Sequence, residues 1–510
     1  MLAKVNSACA LGIDACKVTV EVDIANGIPS FSIVGLPCTA IKESRDRIRS
    51  AIKNSGFDFP TKRITVNLAP ADVKKEGAGF DLPIAVAILV ATNVLQTEKF
   101  KDYIICGEVS LNGEVKPIKG ALPITLGFSK TCMNKILLPF ENIREAAIVE
   151  AMGSYPARNL REVIDFLNDQ IELKPERLNV AKIFRKNSSY RTDFSDVKGQ
   201  EHVKRGLEVT AAGSHNCLLI GPPGSGKSML AKRLPTILSK MDIEESLETS
   251  KIHSVAGLLS PKKALTATRP FRSPHHTISN SALTGGGSYP NPGEISLAHN
   301  GVLFLDELPE FKRTVLEVMR QPLEDQTITI ARVAGTLTYP ARFMLVAAMN
   351  PCPCGFFTDP KKECRCTPAQ IQKYLSKISG PLLDRIDIHL EAPRLNYEQL
   401  SKRPKSETSS QIKQRVDSAR AIQRKRYKKD TFLFNAFLEP KEIEKYCPLS
   451  HEGQELLKMA ILELGLSART YDKVLKVART IADLDQKETI EAPHISEAIG
   501  YRSLDRNLWV

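Results

Sequence analysis

The sequence predicts a multidomain α/β protein with an α+β N-terminal domain, a parallel α/β core and a helical C-terminal domain. Its 510 residues exceed what one hydrophobic core holds, at roughly 100–200 residues per domain. β-rich and helical runs alternate through residues 1–165 and again through residues 194–393, which favours a parallel sheet in the second stretch. After Arg394 the strand signals stop, and helical periodicity is clearest over 453–464 and 470–484.

These patterns divide the chain into four parts. We assign residues 1–170 to the N-terminal domain, 171–192 to a polar linker, 193–393 to the core and 394–510 to the helical domain. Within the first part, the periodicity predicts an amphipathic helix with a basic face over residues 40–54.

The composition favours a polyanionic partner and gives no sign of a membrane segment. Lysine and arginine number 71 against 58 acidic residues, a net charge of +13, although a basic enzyme without such a partner fits equally well. The apolar fraction of 42% and the charged fraction of 25% exclude collagen-like and wholly disordered chains. The longest apolar run, 84–91, is far shorter than the ~20 residues that span a bilayer, so we expect a cytoplasmic protein without a membrane partner.

A glycine-rich segment between a predicted strand and a predicted helix matches the Gly-x-x-x-x-Gly-Lys-Ser pattern of a phosphate-binding loop. Its glycines let successive backbone N–H groups point at phosphate oxygens, and the helix N-terminus adds partial positive charge. We predict that Lys227 binds the terminal phosphates of ATP and that Ser228 ligates Mg²⁺. The predicted ATP-binding residues are Gly221, Pro222, Pro223, Gly224, Ser225, Gly226, Lys227 and Ser228.

Polar side chains come directly after two further apolar strands of the core. Asp306 and Glu307 end the run Gly-Val-Leu-Phe-Leu-Asp-Glu, at the carboxyl edge where ligands bind in open α/β sheets. We predict that Asp306 holds Mg²⁺ and that Glu307 is the general base for the attacking water. Asn350 ends the next strand and is a candidate to orient that water, although an asparagine at a strand end is often a turn residue.

Two arginines are candidates to complete the catalytic set. Arg385 precedes a short predicted strand, and Arg469 begins a predicted helix. A guanidinium stabilises charge on the transferring phosphoryl group, and it often comes from a neighbouring subunit. A surface ion pair is the alternative for each arginine.

Four of the eleven cysteines cluster in the core sequence as Cys-x-Cys, nine residues, Cys-x-Cys. Four thiolates suit a closed, structural Zn²⁺ site, although this spacing is tighter than the usual Cys-x₂-Cys knuckle. Four reduced thiols in a loop are the alternative. The predicted ligands, within an insert at 351–366, are Cys352, Cys354, Cys364 and Cys366, with Lys361, Lys362 and Arg365 beside them.

Three long runs resemble the AAA+ ATPases of the magnesium chelatase-like branch, and more specifically the bacterial ComM/YifB family. They are Arg-Pro-Phe-Arg-Ser-Pro-His-His-Thr-Ile-Ser from Arg269, Pro-Gly-Glu-Ile-Ser-Leu-Ala-His-Asn-Gly from Pro292, and Leu-Ser-Ala-Arg-Thr-Tyr-Asp from Leu466. The resemblance covers essentially the full length. It implies an AAA+ core with a helical lid, and a homo-hexameric ATPase that drives branch migration of single-stranded and branched DNA during natural transformation. By this resemblance, the first sensor is Asn350, the arginine finger is Arg385 and the second sensor is Arg469.

A predicted β-hairpin over residues 328–339 precedes the Asn350 strand, where related helicases carry a pore hairpin. Polar and apolar residues alternate on both sides of a turn that contains Gly335. Arg332, near the tip, is a candidate to contact DNA phosphate, and an ordinary exposed arginine is the equal alternative.

The N-terminal domain resembles the catalytic domain of Lon protease, through Lys-Glu-Gly-Ala-Gly-Phe-Asp-Leu-Pro from Lys75 and Cys-Gly-Glu-Val-Ser-Leu-Asn-Gly from Cys106. The nucleophilic serine of that family falls on Gly79 and its lysine on Leu122, so covalent Ser–Lys chemistry has no carriers here. We therefore expect a degenerate domain that assembles a ring or guides DNA. Its basic helix, with Lys42, Arg45, Arg47, Arg49 and Lys53, suits the second role.

The sequence leaves three classes of function: a DNA motor, a chelatase-like or chaperone-like ATPase that remodels a protein partner, and an ATP-dependent protease. The missing serine and lysine argue against the protease. The net charge favours DNA, as does a basic cluster of Arg420, Arg424, Lys425, Arg426, Lys428 and Lys429.

Overall fold

The computed structural model describes residues 1–502, except for 73, 76, 78, 181–182, 185–189, 261–263, 288, 334, 358, 360–361, 396–405, 428–433 and 465–466. Within these residues the chain forms a mixed α/β N-terminal domain, a parallel α/β core and a C-terminal helical region, which confirms the predicted fold class. Lys361, Lys428 and Lys429 of the predicted basic groups lie outside the described residues.

The N-terminal domain contains two sheets. The larger one is built from β1 (Leu2–Leu11), β2 (Asp14–Ala25), β3 (Ser30–Val34) and β4 (Arg63–Ala69). Its order is β1-β2-β4-β3, with β3 parallel to β4 and the other pairs antiparallel. The smaller one is parallel, in the order β5 (Tyr103–Ile105), β8 (Lys135–Pro139), β9 (Gly153–Ala157), and a short hairpin joins β6 (Glu108–Val109) to β7 (Val115–Lys116).

Apolar helices fill the space against these sheets. The helix α2 (Asp81–Ala91) is apolar on nearly all sides, so it is buried almost throughout and packs on β1 and β2. The predicted basic helix of residues 40–54 is α1. The helices of this domain are α1 (Thr39–Asn54), α2 (Asp81–Ala91), α3 (Ala121–Phe128), α4 (Ile143–Ala146) and α5 (Leu160–Leu167).

The core is a five-stranded parallel sheet. Its strands are β10 (Cys217–Ile220), β11 (Phe271–Arg272), β14 (Val302–Leu305), β17 (Met344–Met349) and β18 (Ile388–Glu391). Their order is β11-β14-β17-β10-β18. The central strands are buried on both faces, which explains their unbroken apolar sequences.

Two antiparallel hairpins project from this core. One pairs β12 (Gly285–Gly286) with β13 (Asn291–Pro292), and the other pairs β15 (Thr327–Arg332) with β16 (Gly335–Pro340), as predicted for residues 328–339. The core helices are α6 (Glu201–Gly213), α7 (Lys227–Ile237), α8 (Ile243–Val255), α9 (Asn280–Thr284), α10 (Glu294–Leu297), α11 (Arg313–Glu317), α12 (Arg320–Asp325), α13 (Pro368–Leu375) and α14 (Gly380–Leu383).

The C-terminal region is helical and packs on one face of the core sheet. Its helices are α15 (Ser409–Arg426), α16 (Pro440–Tyr446), α17 (His451–Leu464), α18 (Ala468–Leu484) and α19 (Ala492–Gly500). Apolar residues of α15 and α18 join those of α6, α7 and β10 in one hydrophobic cluster. No described helix has both the length and the apolar character that crossing a membrane requires.

The N-terminal domain contacts the core at several places. The start of α3 is bonded to the end of α8, where Gly120 N–H donates to the Ser254 carbonyl over 3.1 Å. Ile13, in the β1–β2 turn, packs against an apolar cluster of the core, and a Cβ atom on its neighbour Gly12 would lie 3.7 Å from Leu337 of β16. The turn therefore lies directly against the projecting β15–β16 hairpin.

Candidate nucleotide-binding site

The phosphate-binding loop connects β10 to α7 at the carboxyl edge of the core sheet. Gly224 and Gly226 have φ values of 78° and 88°, in the left-handed region that favours glycine. Gly221 is required for a different reason, because a Cβ atom there would lie 2.1 Å from the carbonyl oxygen of Ala392. The loop therefore folds tightly against the residues just after β18.

Lys227 is held at the centre of this loop. Its ammonium donates to the carbonyl oxygens of Gly221, over 2.7 Å, and Pro222, over 3.1 Å. It also donates to the Asn350 Oδ1 atom over 3.1 Å, so the loop and the end of β17 meet at one cation. Burial lowers the pKa of Lys227, while the nearby carboxylates of Asp306 and Glu307 oppose that shift.

Ser228 and Asp306 form a pair of oxygen donors beside the lysine. The Ser228 hydroxyl donates to Asp306 Oδ2 over 2.6 Å, and the other carboxylate oxygen accepts from the Glu307 backbone N–H over 3.0 Å. Both oxygens of Asp306 are thereby oriented. A hydroxyl and a carboxylate are hard ligands of the kind that Mg²⁺ takes next to phosphates, so these residues fit the predicted ion.

Glu307 lies at the same carboxyl edge of the core sheet and has a strained backbone conformation. Its φ of 54° places it in the left-handed region, which costs a non-glycine residue about 1–3 kcal/mol. The side chain is 57% exposed, and its Oε2 atom lies 3.3 Å from Nδ1 of His276. The His276 ring packs against His275, with ring centroids 4.1 Å apart.

His276 was not among the site residues predicted from the sequence. It lies four residues after β11, within the Arg-Pro-Phe-Arg-Ser-Pro-His-His run that carries the family resemblance. Because β11 is parallel to β14, the segment after β11 reaches the same edge as Glu307. The position of that run after a strand was the signal that could have found it.

Arg385 and Arg469 lie at the opposite edge of the sheet. The Asn216 side chain, just before β10, donates to the Arg385 carbonyl over 2.9 Å, and the Arg385 guanidinium pairs with Glu324. Arg469 is 73% exposed and lies 3.8 Å from Asp384, the neighbour of Arg385. The four residues of β10 span about 13 Å, so neither guanidinium belongs to the phosphate loop of its own chain.

The four predicted cysteines come together immediately after Asn350. Their sulfur atoms all lie within 4.8 Å of one another. The Cys352 Sγ atom is 3.3 Å from that of Cys354 and 3.6 Å from that of Cys364. Four sulfurs bound to one tetrahedral ion at 2.3 Å would be about 3.8 Å apart, so the cluster can hold a metal ion.

One thiol of this cluster is already inclined to ionise. Burial raises the pKa of Cys354, but the backbone N–H groups of Phe356 and Arg365 lower it to about 6. Ionised sulfur is the form that binds metals. The backbone N–H of Gly355 also donates to the Cys352 sulfur over 3.2 Å.

Arg332 lies at the exposed end of the β15–β16 hairpin, where it is paired with Gly335. Its guanidinium lies close to the β12–β13 hairpin, because a Cβ atom on Gly286 would be 2.8 Å from Nη2. The neighbouring Val333 is fully exposed. The two hairpins thus present an arginine and an apolar tip to solvent.

Three residues of the two basic groups are engaged in contacts within the protein, and for the buried Arg420 the predicted surface position was wrong. Arg420 is buried with its guanidinium 3.5 Å from the centre of the Phe434 ring, and burial lowers its pKa to about 9. Arg426 pairs with buried Asp483, and Arg47 of α1 pairs with buried Asp81 over 3.0 Å. The buried carboxylates of Asp81 and Asp483 pair with Arg47 and Arg426, because an unpaired buried charge would be costly.

Other members of the two basic groups remain at the surface. Arg424 and Lys425 are exposed, as are Arg45 and Arg49. At the position where the Lon resemblance placed the lysine, Leu122 is fully buried and its backbone N–H donates to the Ser254 hydroxyl over 3.4 Å. This position therefore serves the contact between the domains.

The order of the parallel strands and the residues at their carboxyl edge define an AAA+ nucleotide-binding core. Comparison with known families agrees: "Magnesium chelatase, subunit ChlI" matches residues 193–400, "Subunit ChlI of Mg-chelatase" matches 20–142, and "Magnesium chelatase, subunit ChlI C-terminal" matches 406–502. The chain belongs to the magnesium chelatase-like AAA+ family that includes ComM and YifB.

Relatives along the full length support this assignment. The chain is 46% identical over 509 residues to the uncharacterized protein YifB of Salmonella typhimurium, covering 99% of this chain and 98% of that protein. It is 45% identical over 512 residues to the competence protein ComM of Haemophilus influenzae, with the same coverage. A shorter similarity, 24% over 177 residues, relates 31% of the chain to 52% of the magnesium-chelatase 38 kDa subunit of Cereibacter sphaeroides.

Proposed function

We propose that the chain is an ATP hydrolase that works as a homo-hexameric DNA motor. The observation that carries the proposal is the convergence of Lys227, Ser228, Asp306, Glu307 and Asn350 at one edge of the core sheet. These groups supply what phosphoryl transfer to water requires: phosphate binding, ion binding and a base.

Each residue of this edge has a separate task in hydrolysis. Lys227 exchanges its loop carbonyl contacts for phosphate oxygens, and Ser228 and Asp306 hold Mg²⁺, which when bound neutralises charge on those oxygens. A Glu307 carboxylate oxygen takes the proton of the attacking water. The Oδ1 atom of Asn350 accepts a hydrogen bond from Lys227, so the amide nitrogen is the atom left to orient the attacking water.

Assembly of several copies is supported by the positions of Arg385 and Arg469. A guanidinium at the edge opposite the phosphate loop can serve a nucleotide only on another chain, as arginine fingers do. A ring repeats this head-to-tail contact until it closes, and the family resemblance supports six copies.

DNA is the substrate we propose for this motor. The net charge of +13 and the exposed Arg332 at a hairpin tip support a phosphate backbone as the partner. The similarity to the competence protein ComM supports a role in competence. From the family resemblance we propose helicase or branch-migration activity on single-stranded and branched DNA during the integration of transforming DNA, in the cytoplasm.

We also propose that the cysteine cluster holds Zn²⁺ as a closed structural site. Four sulfur donors with no oxygen or nitrogen donor among them favour zinc over magnesium or calcium. An ion with four protein ligands has no open position, so we assign it no catalytic step.

The second candidate function is remodelling of a protein partner by a chelatase-like or chaperone-like ATPase. The similarity to the magnesium-chelatase 38 kDa subunit favours it. The two functions predict different responses to nucleic acid, because a motor that moves DNA couples hydrolysis to DNA binding.

The test is ATP hydrolysis by the full-length protein with and without single-stranded and forked DNA. We expect DNA to stimulate phosphate release and forked DNA to be unwound or migrated. An ATPase that ignores both DNA forms at low salt would favour the remodelling function. Absence of hydrolysis under all conditions would refute the ATPase itself.

A further inference from the structure

The cysteine cluster packs directly on the phosphate-binding loop. Gly355 comes after the first pair of cysteines and has a φ of 85°. A Cβ atom on it would lie 2.5 Å from Cδ and 2.7 Å from Cγ of Pro223, and 3.7 Å from Cγ of Asn350. No side chain fits between the cluster and the loop at this point, so the two are in close contact.

The cluster also joins two segments that hold Asn350. Cys352 lies two residues after Asn350, whereas Cys366 is followed by Thr367, which caps α13 through Gln370. The Asn350 backbone N–H approaches the Tyr374 hydroxyl of that helix, where it opposes the rise in the Tyr374 pKa that burial causes. An ion bound to all four sulfurs would therefore close the chain between Asn350 and the helix that returns to it.

We propose that the metal centre of Cys352, Cys354, Cys364 and Cys366 positions the ATP site by clamping Gly355 against Pro223 and fixing Asn350 beside Lys227. This inference rests on the proposed nucleotide site and on the zinc proposed for the cysteine cluster. It adds that nucleotide binding and hydrolysis depend on the bound zinc. The cysteines act through Gly355 and Asn350, so they are positioning residues. Removing the ion removes the bonds that tie the two cysteine pairs together, so it loosens the contact of Gly355 with Pro223.

The sharpest test keeps the metal bound and disturbs only the contact between Gly355 and Pro223. In Gly355→Ala the new methyl group meets Pro223, so we expect one zinc per chain, weaker nucleotide binding and a kcat lowered roughly 10–100-fold by misplacement of Asn350 and the loop. Metal analysis, binding of a fluorescent ATP analogue, steady-state kinetics and thermal unfolding are measured on the full-length protein. Gly500→Ala is the matched control, because a Cβ atom there meets nothing within 4 Å.

A compensating change separates the contact from backbone strain at Gly355. Pro223→Ala removes the ring atoms that the new methyl group meets, so the double variant is expected to match Pro223→Ala alone in affinity and kcat. If the loss came only from an alanine at positive φ, the double variant would be worse than Pro223→Ala.

The second experiment removes the zinc ion. Cys364→Ser with Cys366→Ser is expected to lose zinc and to show the same losses in affinity and kcat, with faster amide hydrogen exchange in residues 221–228. Cys132→Ser, an exposed cysteine outside the cluster, is the control.

The outcomes distinguish this inference from the proposed function. Wild-type protein with less than a tenth of a zinc equivalent overturns the metal centre and the inference together. Zinc-free variants with unchanged nucleotide affinity and unchanged exchange in residues 221–228 overturn the inference alone. If wild-type protein fails to hydrolyse ATP, the proposed function fails. Nucleotide affinity and amide hydrogen exchange in residues 221–228 then still test whether the metal centre positions the loop.

Discussion

Replacing Glu307 by glutamine separates catalysis from stability at this site. The side chain is 57% exposed, and His276, 3.3 Å away, is its partner in the structure. An exposed pair of this kind contributes about 0–1 kcal/mol, and glutamine keeps the shape of the side chain. We therefore expect Glu307→Gln to leave the thermal midpoint within a few degrees of wild type.

Hydrolysis should respond very differently. Loss of the base costs about 10²–10⁴-fold in kcat, equivalent to about 3–5 kcal/mol at 1.36 kcal/mol per decade. Nucleotide affinity should hold, because the ammonium and backbone N–H groups of the loop are unchanged.

The assay pairs steady-state phosphate release with binding of a fluorescent ATP analogue. Glu310→Gln is the matched control, since Glu310 lies three residues further and pairs with Lys377 at the surface. Turnover at the wild-type rate in Glu307→Gln would refute the assignment of the base. A lost rate accompanied by weakened binding would point instead to a role in holding nucleotide.

Three further substitutions test the other assignments. Lys227→Ala should weaken nucleotide binding itself, because the Lys227 ammonium lies at the centre of the loop. Titration with the fluorescent ATP analogue measures this, and an unchanged affinity would contradict it. Arg385→Ala subunits mixed into wild-type protein should lower activity by more than their fraction, whereas a linear decline would exclude a shared site. Arg332→Ala should leave basal hydrolysis nearly unchanged and flatten the salt dependence of DNA affinity by roughly one unit per lost contact, while identical affinity at every salt concentration would exclude the contact.

The nucleotide site could be predicted from sequence because its residues come directly after strands. Asp306 follows β14 and Asn350 follows β17, and the carboxyl ends of parallel strands meet at one edge. His276 follows β11 by four residues, so the same rule could have found it. The contact of Gly355 with Pro223 could not be predicted, because it depends on how a long loop returns to the edge. Periodicity carries no information on the path of such loops.

In the basic cluster around Arg420, the position of a residue on its helix predicts burial better than its charge does. Arg420 follows Ile412 and Val416 at intervals of four, so it lies on the buried face of α15. Arg424, at the next interval, is exposed near the end of the helix. The four-residue spacing therefore predicts the burial of Arg420, whereas Arg424 on the same face is exposed because it lies near the end of the helix. Charge alone predicts a surface position for both arginines.

The same positional reasoning applies to the two arginines and extends to assembly. Arg385 precedes β18, whereas the phosphate loop follows β10, and the two strands are parallel neighbours. A residue before one strand and a residue after the next necessarily lie at opposite edges of a sheet. A role for Arg385 in hydrolysis therefore requires a second copy that brings its amino edge to the carboxyl edge of the first. Each chain then carries the nucleotide-binding half of one site and the arginine half of another, which is the arrangement that a closed ring repeats without leaving either half unused.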